Sequence, residues 1–254
     1  MPIDRPHRPT VVALLPIKAH SERVPGKNFR SFAGRPLFRW ILDTLLSLDL
    51  VDRVVINTDG QELLREHGLI ESDRVVVRSR AEAICGDHVS MNAVLANDVA
   101  AVPADAYVMT HATNPLLRAG TIQRAWDAFI EGQRQGHDSL FTVNRVQTRF
   151  YREDGSAVNH DPDRLLRTQD LEPWYEENSN LYIFTRESFA ATHARIGRRP
   201  ILFPTPQVES TDIDDATGWH LAEIFALATL ISDSTQQYRQ QAVAAPSASQ
   251  DKAA

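Results

Sequence analysis

The chain has 254 residues, a formal net charge of −6 and a hydrophobic fraction of 43%, which is the composition of a globular protein rather than of a disordered or fibrous one. No basic run could follow a phosphate backbone, and no apolar stretch approaches the ~18 residues that span a bilayer, so nucleic-acid and membrane partners are not expected. The single cysteine, Cys85, excludes an internal disulfide framework and, with no visible export signal, favours a cytoplasmic location.

Apolar runs that fit buried strands alternate along the chain with segments whose apolar residues recur at helical spacing. Strands are predicted at 11–15, 53–57, 74–77, 106–110, 139–143, 180–184 and 201–203, and helices at 36–48, 61–67, 92–101, 119–133 and 216–230. The alternation predicts an α/β fold in which helices cover both faces of a mostly parallel sheet. Ligands bind such sheets at the carboxyl ends of the strands, which makes the loops after the first, second and fourth strands informative.

The sequence predicts one domain over residues 10–231. Within it, the polar segment 147–178 is too long for a simple connection and predicts a small inserted subdomain, suited to substrate closure or dimer contacts. Residues 1–9 and 232–254 are predicted to be flexible tails, because they are polar or proline-rich and contain few large apolar residues.

The loop after the first strand is rich in cations, with Lys18, Arg23 and Lys27 inside a short stretch. Pro25 and Gly26 form a turn pair that lets backbone N–H groups face inward and bind an anion. This composition at the end of a strand suits a triphosphate, although a solvated basic loop would have the same composition. The glycine-rich fingerprints of dinucleotide-binding and P-loop proteins are absent, so a nucleotide site here belongs to another class.

Two carboxylates separated by one residue, Asp212 and Asp214, lie on the same side of an extended segment, with Ile213 facing the core. Close carboxylates repel unless a cation lies beside them, and Mg²⁺ prefers carboxylate oxygens, waters and phosphates. The alternative is a helix cap, because Asp214 and Asp215 directly precede the last predicted helix.

The segment 18–28 resembles the signature loop of the acylneuraminate cytidylyltransferase family. Ser21, Pro25, Lys27 and Asn28 are in register, and Lys18 stands where the family has an arginine. The resemblance continues in the family's order at residues 58–60, 113–116, 178–183 and 212–214, and it spans most of the chain between residues 11 and 223. It implies a three-layer, Rossmann-like nucleotidyltransferase fold.

The resemblance also implies roles for individual residues. Nucleotide binding is expected from Lys18, Ser21, Arg23, Lys27, Asn28, Asp59, Asp87 and Ser90. Lys27, Arg23, Asp212 and Asp214 are the expected catalytic residues, and the two aspartates would hold Mg²⁺. A simple turn remains an alternative for Asp59, and a helix cap for Ser90.

The acceptor is expected to contact His111, Asn114, Arg167 and Asn178. His111 follows the fourth strand, where the family usually has glutamine. Arg167 is a candidate because arginine binds a sugar carboxylate bidentately, and Arg164 competes for that role. The departures at Lys18 and His111 could mark a branch that uses a different keto acid.

The expected activity is transfer of CMP from CTP to an acidic sugar, a nonulosonate or related ulosonate, with release of pyrophosphate. Two alternatives stay open: a cytidylyltransferase with another anionic acceptor such as a phosphonate, and a catalytically inactive nucleotide-binding homologue. The resemblance further implies a homodimer formed through the inserted segment.

Overall fold

The computed structural model describes residues 8–244, with side chains described as far as residue 232. In chain order the strands are β1 (Val11–Leu14), β2 (Ser31–Phe32), β3 (Arg35–Pro36), β4 (Arg53–Thr58), β5 (Val75–Ser79), β6 (Ala106–Thr110), β7 (Ser139–Val146), β8 (Trp174–Thr185) and β9 (Pro200–Pro204). The helices are α1 (Leu37–Leu46), α2 (Gln61–Glu66), α3 (Met91–Ala101), α4 (Ala119–Arg134), α5 (Arg186–Thr192) and α6 (Ala216–Ala244). Short 3-10 turns lie at Glu82–Ile84 and Thr168–Asp170.

Seven strands form one sheet in the order β5-β4-β1-β6-β8-β7-β9. The β1–β4, β1–β6, β4–β5 and β7–β9 pairings are parallel, whereas β8 runs antiparallel to both β6 and β7. The predicted mostly parallel α/β sheet is therefore confirmed. A strand was predicted at 180–184, within β8, but its antiparallel direction, the hairpin of β2 and β3, and helix α5 were not predicted.

Helices cover the sheet on both faces. In β1, Val11 and Ala13 pack into one core with α1 and α4, while Val12 and Leu14 pack into a second core with α3 and α5. A strand buried on both faces has no polar alternation, which is why β1 is a continuous apolar run. The three-layer arrangement follows from this division.

A third apolar cluster fixes the end of the chain against its beginning. Trp219, Ala222 and Ala226 of α6 pack with Phe32 of β2 and with the start of α1. The rings of Phe32 and Trp219 meet edge to face with centroids 5.3 Å apart. The same cluster buries Val24 and Ile213, so it holds the loop after β1 against the segment that carries the two aspartates.

Helix α6 continues to Ala244, past residue 231, the predicted end of the domain. The predicted tails therefore lie only in part outside the described residues, namely at 1–7 and 245–254. Across the helices that the structure describes, none combines the length and apolar character needed to cross a bilayer.

The segment between β7 and β8 is shorter than predicted. Val146 pairs with Trp174, so the insertion covers 147–173 and residues 174–178 belong to the sheet. Further along, the register steps from Phe141↔Tyr182 to Val143↔Glu177, which leaves residues 178–181 as a bulge opposite Thr142. The bulge lies beside the carboxyl end of β6, where Thr110 pairs with Leu181.

Candidate active site

The loop after β1, residues 18–28, is called the nucleotide loop below. Its two ends are tied together, because Asn28 Nδ2 donates to the carbonyl oxygen of Lys18 at 2.9 Å. Its start is tied to the end of β4, since the backbone N–H of Ala19 donates to Asp59 Oδ1 at 2.7 Å. The loop is therefore held at the carboxyl edge of the parallel strands, where ligands bind.

The predicted turn in the nucleotide loop is present. The N–H of Lys27 donates to the carbonyl oxygen of Val24 at 3.1 Å, with Pro25 and Gly26 between them. Gly26 has φ = +63°, a conformation that a side chain disfavours and that a type II turn requires at its second central residue. The turn places Lys27 facing inward, with a side chain only 11% exposed.

Lys27 reaches the segment 212–214, and we call Asp212 and Asp214 the aspartate pair. Lys27 Nζ donates to the carbonyl oxygen of Ile213 at 2.7 Å and lies 4.0 Å from Asp214 Oδ1. Arg23 pairs with the other oxygen of Asp214 at 3.0 Å. The convergence of the nucleotide loop and the aspartate pair, expected from the sequence, is thus present.

The residue that caps α6 is Asp215, the neighbour of Asp214. Asp215 Oδ1 accepts a 2.7 Å hydrogen bond from the N–H of Gly218 in the first turn of α6, so Asp215 caps the helix. Ile213 is fully buried, as predicted. Asp212 and Asp214 are left to line a common cavity.

Burial shapes the charges of this site. Burial lowers the pKa of the Lys27 ammonium, while Asp212 and Asp214 oppose that effect. Burial raises the pKa of Asp212, a hydrogen bond from Thr113 opposes the rise, and the nearby Asp214 adds to it. Both groups are therefore poorly solvated as ions; an anion beside Lys27 and a cation beside Asp212 would each stabilise the charged form of its neighbour.

The donor set of the aspartate pair fits Mg²⁺. Asp212 Oδ1 is buried and has no hydrogen-bond partner, which is the state expected of an oxygen that binds a cation. Among the described residues no group of three or more His, Cys, Asp or Glu side chains could hold a metal. Two carboxylates are enough for Mg²⁺, which completes its shell with waters and substrate phosphates.

Two adjoining cavities lie at this edge of the sheet, and Met91, His111 and Thr113 line both. The first, of about 290 Å³, is the phosphate cavity, lined by much of the nucleotide loop together with Asp87. The second, of about 320 Å³, is the aspartate cavity, which also contains Asn114, Ser179, Arg195, Asp212 and Asp214. The site thus has a cationic half and an acidic half.

His111 and Asn114 lie at the carboxyl end of β6 between these halves. Burial lowers the pKa of His111 to about 3, and the charges of Arg195 and Lys27 contribute, so the imidazole is neutral near pH 7. Both polar side-chain atoms of Asn114 are buried without a partner. A neutral imidazole and an unpaired amide can each donate and accept hydrogen bonds, which suits a hydroxylated ligand.

Comparison with known proteins agrees with this geometry. The family model described as Cytidylyltransferase matches residues 12–240. The chain belongs to the cytidylyltransferase family. It is 24% identical to the pseudaminic acid cytidylyltransferase of Campylobacter jejuni, over 84% of this chain and 94% of that protein. It is 25% identical to the CMP-N,N'-diacetyllegionaminic acid synthase of Legionella pneumophila, with the same coverages.

The fold of this cytidylyltransferase is shared with a solved CMP:2-keto-3-deoxy-manno-octonic acid synthetase complexed with CTP. The two agree with a TM-score of 0.57 at 15% identity, over 87% of this chain and 99% of the other. At that identity the likeness shows the fold alone. It confirms the predicted three-layer, Rossmann-like nucleotidyltransferase fold.

The other predicted nucleotide residues of the cytidylyltransferase divide into two groups. Lys18, Ser21, Asn28 and Asp87 line the phosphate cavity, and Lys18 Nζ pairs with Asp87 Oδ1 at 3.0 Å. Asp59 instead supports the loop from outside through Ala19. Ser90 caps α3, because its Oγ accepts from the N–H of Asn92 at 3.2 Å.

Two predicted acceptor residues are not among those that line the two cavities. Arg167 is exposed and forms a bidentate pair with Asp170, at 2.7 and 3.0 Å. Asn178 is buried and structural: its Oδ1 accepts from Thr142 Oγ1 at 2.7 Å, and its Nδ2 donates to Asn144 and Thr205. Asn178 therefore holds the bulge in β8, and its residue type alone did not distinguish this role from ligand binding.

Two arginines at the site were missed. Arg80 follows β5 and is buried, donating to Asn57 Oδ1 and to the carbonyl oxygens of Asn57 and Ile17, so it braces the start of the nucleotide loop. Its position at a strand's carboxyl end was the available signal. Arg195 lies after α5 and lines the aspartate cavity, and its place in a loop gave no sequence signal.

Proposed function

We propose that this cytidylyltransferase transfers CMP from CTP to a nonulosonic acid or a related ulosonic acid and releases pyrophosphate. The observation that carries the proposal is the meeting of Lys27 with the aspartate pair at one cleft. The relatives support an acidic sugar as the acceptor, because their names refer to pseudaminic acid and to diacetyllegionaminic acid.

In the proposed reaction the anomeric oxygen of the acceptor attacks the α-phosphorus in line. The bond between the α-phosphorus and its bridging oxygen breaks, pyrophosphate leaves with the electron pair, and the hydroxyl proton passes to solvent. Lys27 and Arg23 leave their present contacts with Ile213 and Asp214 to offset charge on the phosphates. Mg²⁺ held by Asp212 and Asp214 would supply further charge compensation at the same phosphates.

The predicted roles of Lys18, Ser21, Asn28 and Asp87 in nucleotide binding are retained, because all four line the phosphate cavity. His111 and Asn114 are retained as acceptor residues. With a pKa of about 3, His111 is a weak base, so its proposed role is to orient the acceptor by a hydrogen bond.

A pyrophosphate-release assay tests the proposal. It combines the protein and Mg²⁺ with each of the four ribonucleoside triphosphates, nine- and eight-carbon 2-keto sugar acids, and simple phosphonates. Release with CTP and a sugar acid supports the proposal. Release only with a phosphonate favours the alternative acceptor, and CTP binding by calorimetry without turnover favours the inactive homologue.

We also propose that the chain forms a homodimer through the insertion 147–173 and the adjoining start of β8. This region exposes a group of large apolar side chains: Tyr151, Val158, Leu165, Leu166, Trp174 and Tyr175. Such clusters mark interaction surfaces. Light scattering should report a dimer that Leu165→Asp weakens, whereas Ile224→Asp, at an exposed apolar position of α6, should leave it intact; the reverse pattern contradicts the proposed interface. The cytoplasmic location stays a prediction.

A further inference from the structure

Arg195 is a cation at the edge of the aspartate cavity. It follows α5, and its backbone N–H donates to Asn92 Oδ1 at 3.3 Å, which ties it to the start of α3. Its side chain is only 19% exposed. It lines the aspartate cavity on one side and a neighbouring cavity with Ser90, Asn92 and Glu177 on the other.

The guanidinium of Arg195 is held in place, but few of its hydrogen-bond donors have a partner among the described residues. It lies over the ring of Tyr182, 3.9 Å from the centroid, an attractive contact that fixes its plane. Its one hydrogen bond to a described residue runs from Nη2 to Glu177 Oε1 at a long 3.4 Å. Guanidinium has five N–H donors, so most of them have no hydrogen-bond partner among the described residues, and Arg195 lines both cavities.

Glu177 is itself held by Tyr182. The Tyr182 hydroxyl donates to the same Oε1 atom, and burial raises the pKa of Tyr182 to about 12, so the hydroxyl keeps its proton. The main role of Glu177 is therefore to fix the orientation of the Arg195 guanidinium. Ser179, which lines the aspartate cavity, adopts φ = +53° in the bulge of β8; such strain in a non-glycine residue is frequent at ligand sites.

The other cations near the cleft already have protein partners. Lys27 and Arg23 contact the aspartate segment, and Lys18 pairs with Asp87 on the phosphate side. In the aspartate cavity the remaining charged lining residues are Arg195, Asp212 and Asp214. Arg195 is thus the one cation among the described lining residues of that cavity.

We infer that Arg195 binds the carboxylate of the acceptor and thereby selects 2-keto sugar acids over neutral sugars. This inference rests on the proposed function. In such acids the carboxylate is attached to the anomeric carbon, so it lies within two bonds of the reacting oxygen. An oxygen placed beside the aspartate pair brings its carboxylate into the cavity that Arg195 lines, and guanidinium binds carboxylate bidentately.

The test compares Arg195→Gln and Arg195→Lys with Arg167→Gln, the matched change at the exposed arginine predicted from sequence. Wild-type turnover with a sugar acid is measured first; its absence contradicts the proposed function and, with it, the inference. For both Arg195 variants, KM for the acceptor should rise about 10- to 100-fold, the loss typical of one charged hydrogen-bonded pair, with KM for CTP within about twofold. Arg167→Gln should behave as wild type.

The second arm uses the same sugar with its carboxylate converted to an uncharged carboxamide. Wild type should lose efficiency with the amide, whereas Arg195→Gln should use the acid and the amide about equally, a result that a merely structural role would not produce. The inference is overturned if Arg195→Gln still prefers the acid as strongly as wild type does. It is also overturned if the acceptor KM moves in Arg167→Gln instead.

Discussion

Lys27 and Ile213 are 186 positions apart in the chain, yet Lys27 Nζ donates a 2.7 Å hydrogen bond to the Ile213 carbonyl oxygen. The bond places a desolvated ammonium between two aspartates that flank its acceptor. Val24 and Ile213 enter one apolar cluster with Trp219 of α6. Packing of the last helix therefore sets the distance between the nucleotide loop and the aspartate pair.

Lys27→Ala should reduce kcat by about 10²–10³, because removing one preorganised donor at a developing charge costs about 2.7–4 kcal/mol. Steady-state pyrophosphate release measures the loss. Arg30→Ala is the control, since Arg30 is exposed just beyond the same loop and lies over the Trp219 ring at 4.7 Å. A rate near that of wild type in Lys27→Ala would contradict the assignment.

Asp212→Ala should abolish Mg²⁺-dependent turnover while leaving the fold intact, because Asp212 Oδ1 has no protein partner and the change removes one side-chain hydrogen bond, from Thr113. Asp215→Ala is the matched control: it removes the cap of α6 and should lower the free energy of unfolding by about 0.5–2 kcal/mol with turnover retained. Activity over a Mg²⁺ titration and urea unfolding separate the two effects. Unchanged Mg²⁺ dependence in Asp212→Ala would rule out the metal role.

Gly218→Ala should impair the site through its backbone. A Cβ atom there would lie 2.8 Å from the carbonyl oxygen of Asp212, so α6 or the aspartate segment must shift, at a cost of about 1–3 kcal/mol. We expect lower kcat and lower stability. In Gly120→Ala the new Cβ would meet only the flexible end of Arg124 at 3.6 Å, and both quantities should be kept; equal behaviour of the two variants would refute the close approach.

The stability of the protein should carry a pH dependence from His111. The unfolded chain protonates this histidine below its ordinary pKa of 6.5, whereas the folded chain does so only near pH 3. The unfolded state therefore binds more protons in this window, so the contribution of His111 is complete above pH 6.5 and declines as the pH falls toward 3. In urea unfolding, His111→Gln should show a shallower decline below pH 6.5; parallel curves would contradict a neutral imidazole in the folded protein.

The sequence predicted those parts of the site that follow from local pattern. The cations after β1 and the paired aspartates before α6 were found because strand ends and period-two spacing are visible in the residues. Arg167 and Asn178 were placed by residue type alone. The partner of Arg167 is Asp170, three residues further on, whereas Asn178 is bonded by Thr142, 36 positions away, which only the fold brings to it. Arg195 was missed because it follows α5, a helix of seven residues that is too short for a clear periodic signal, and because the bulge of β8 arises from strand pairing.

The most direct test of the account is a double-mutant cycle between Lys27→Ala and Asp212→Ala, read as the loss of affinity for CTP by calorimetry in the presence of Mg²⁺, a quantity that stays measurable when turnover is abolished. If both residues act on one triphosphate, their effects are coupled, and the double variant should lose less than the product of the single losses, with a coupling energy of about 0.5–3 kcal/mol. Losses that multiply independently would show that the two segments do not serve one bound nucleotide.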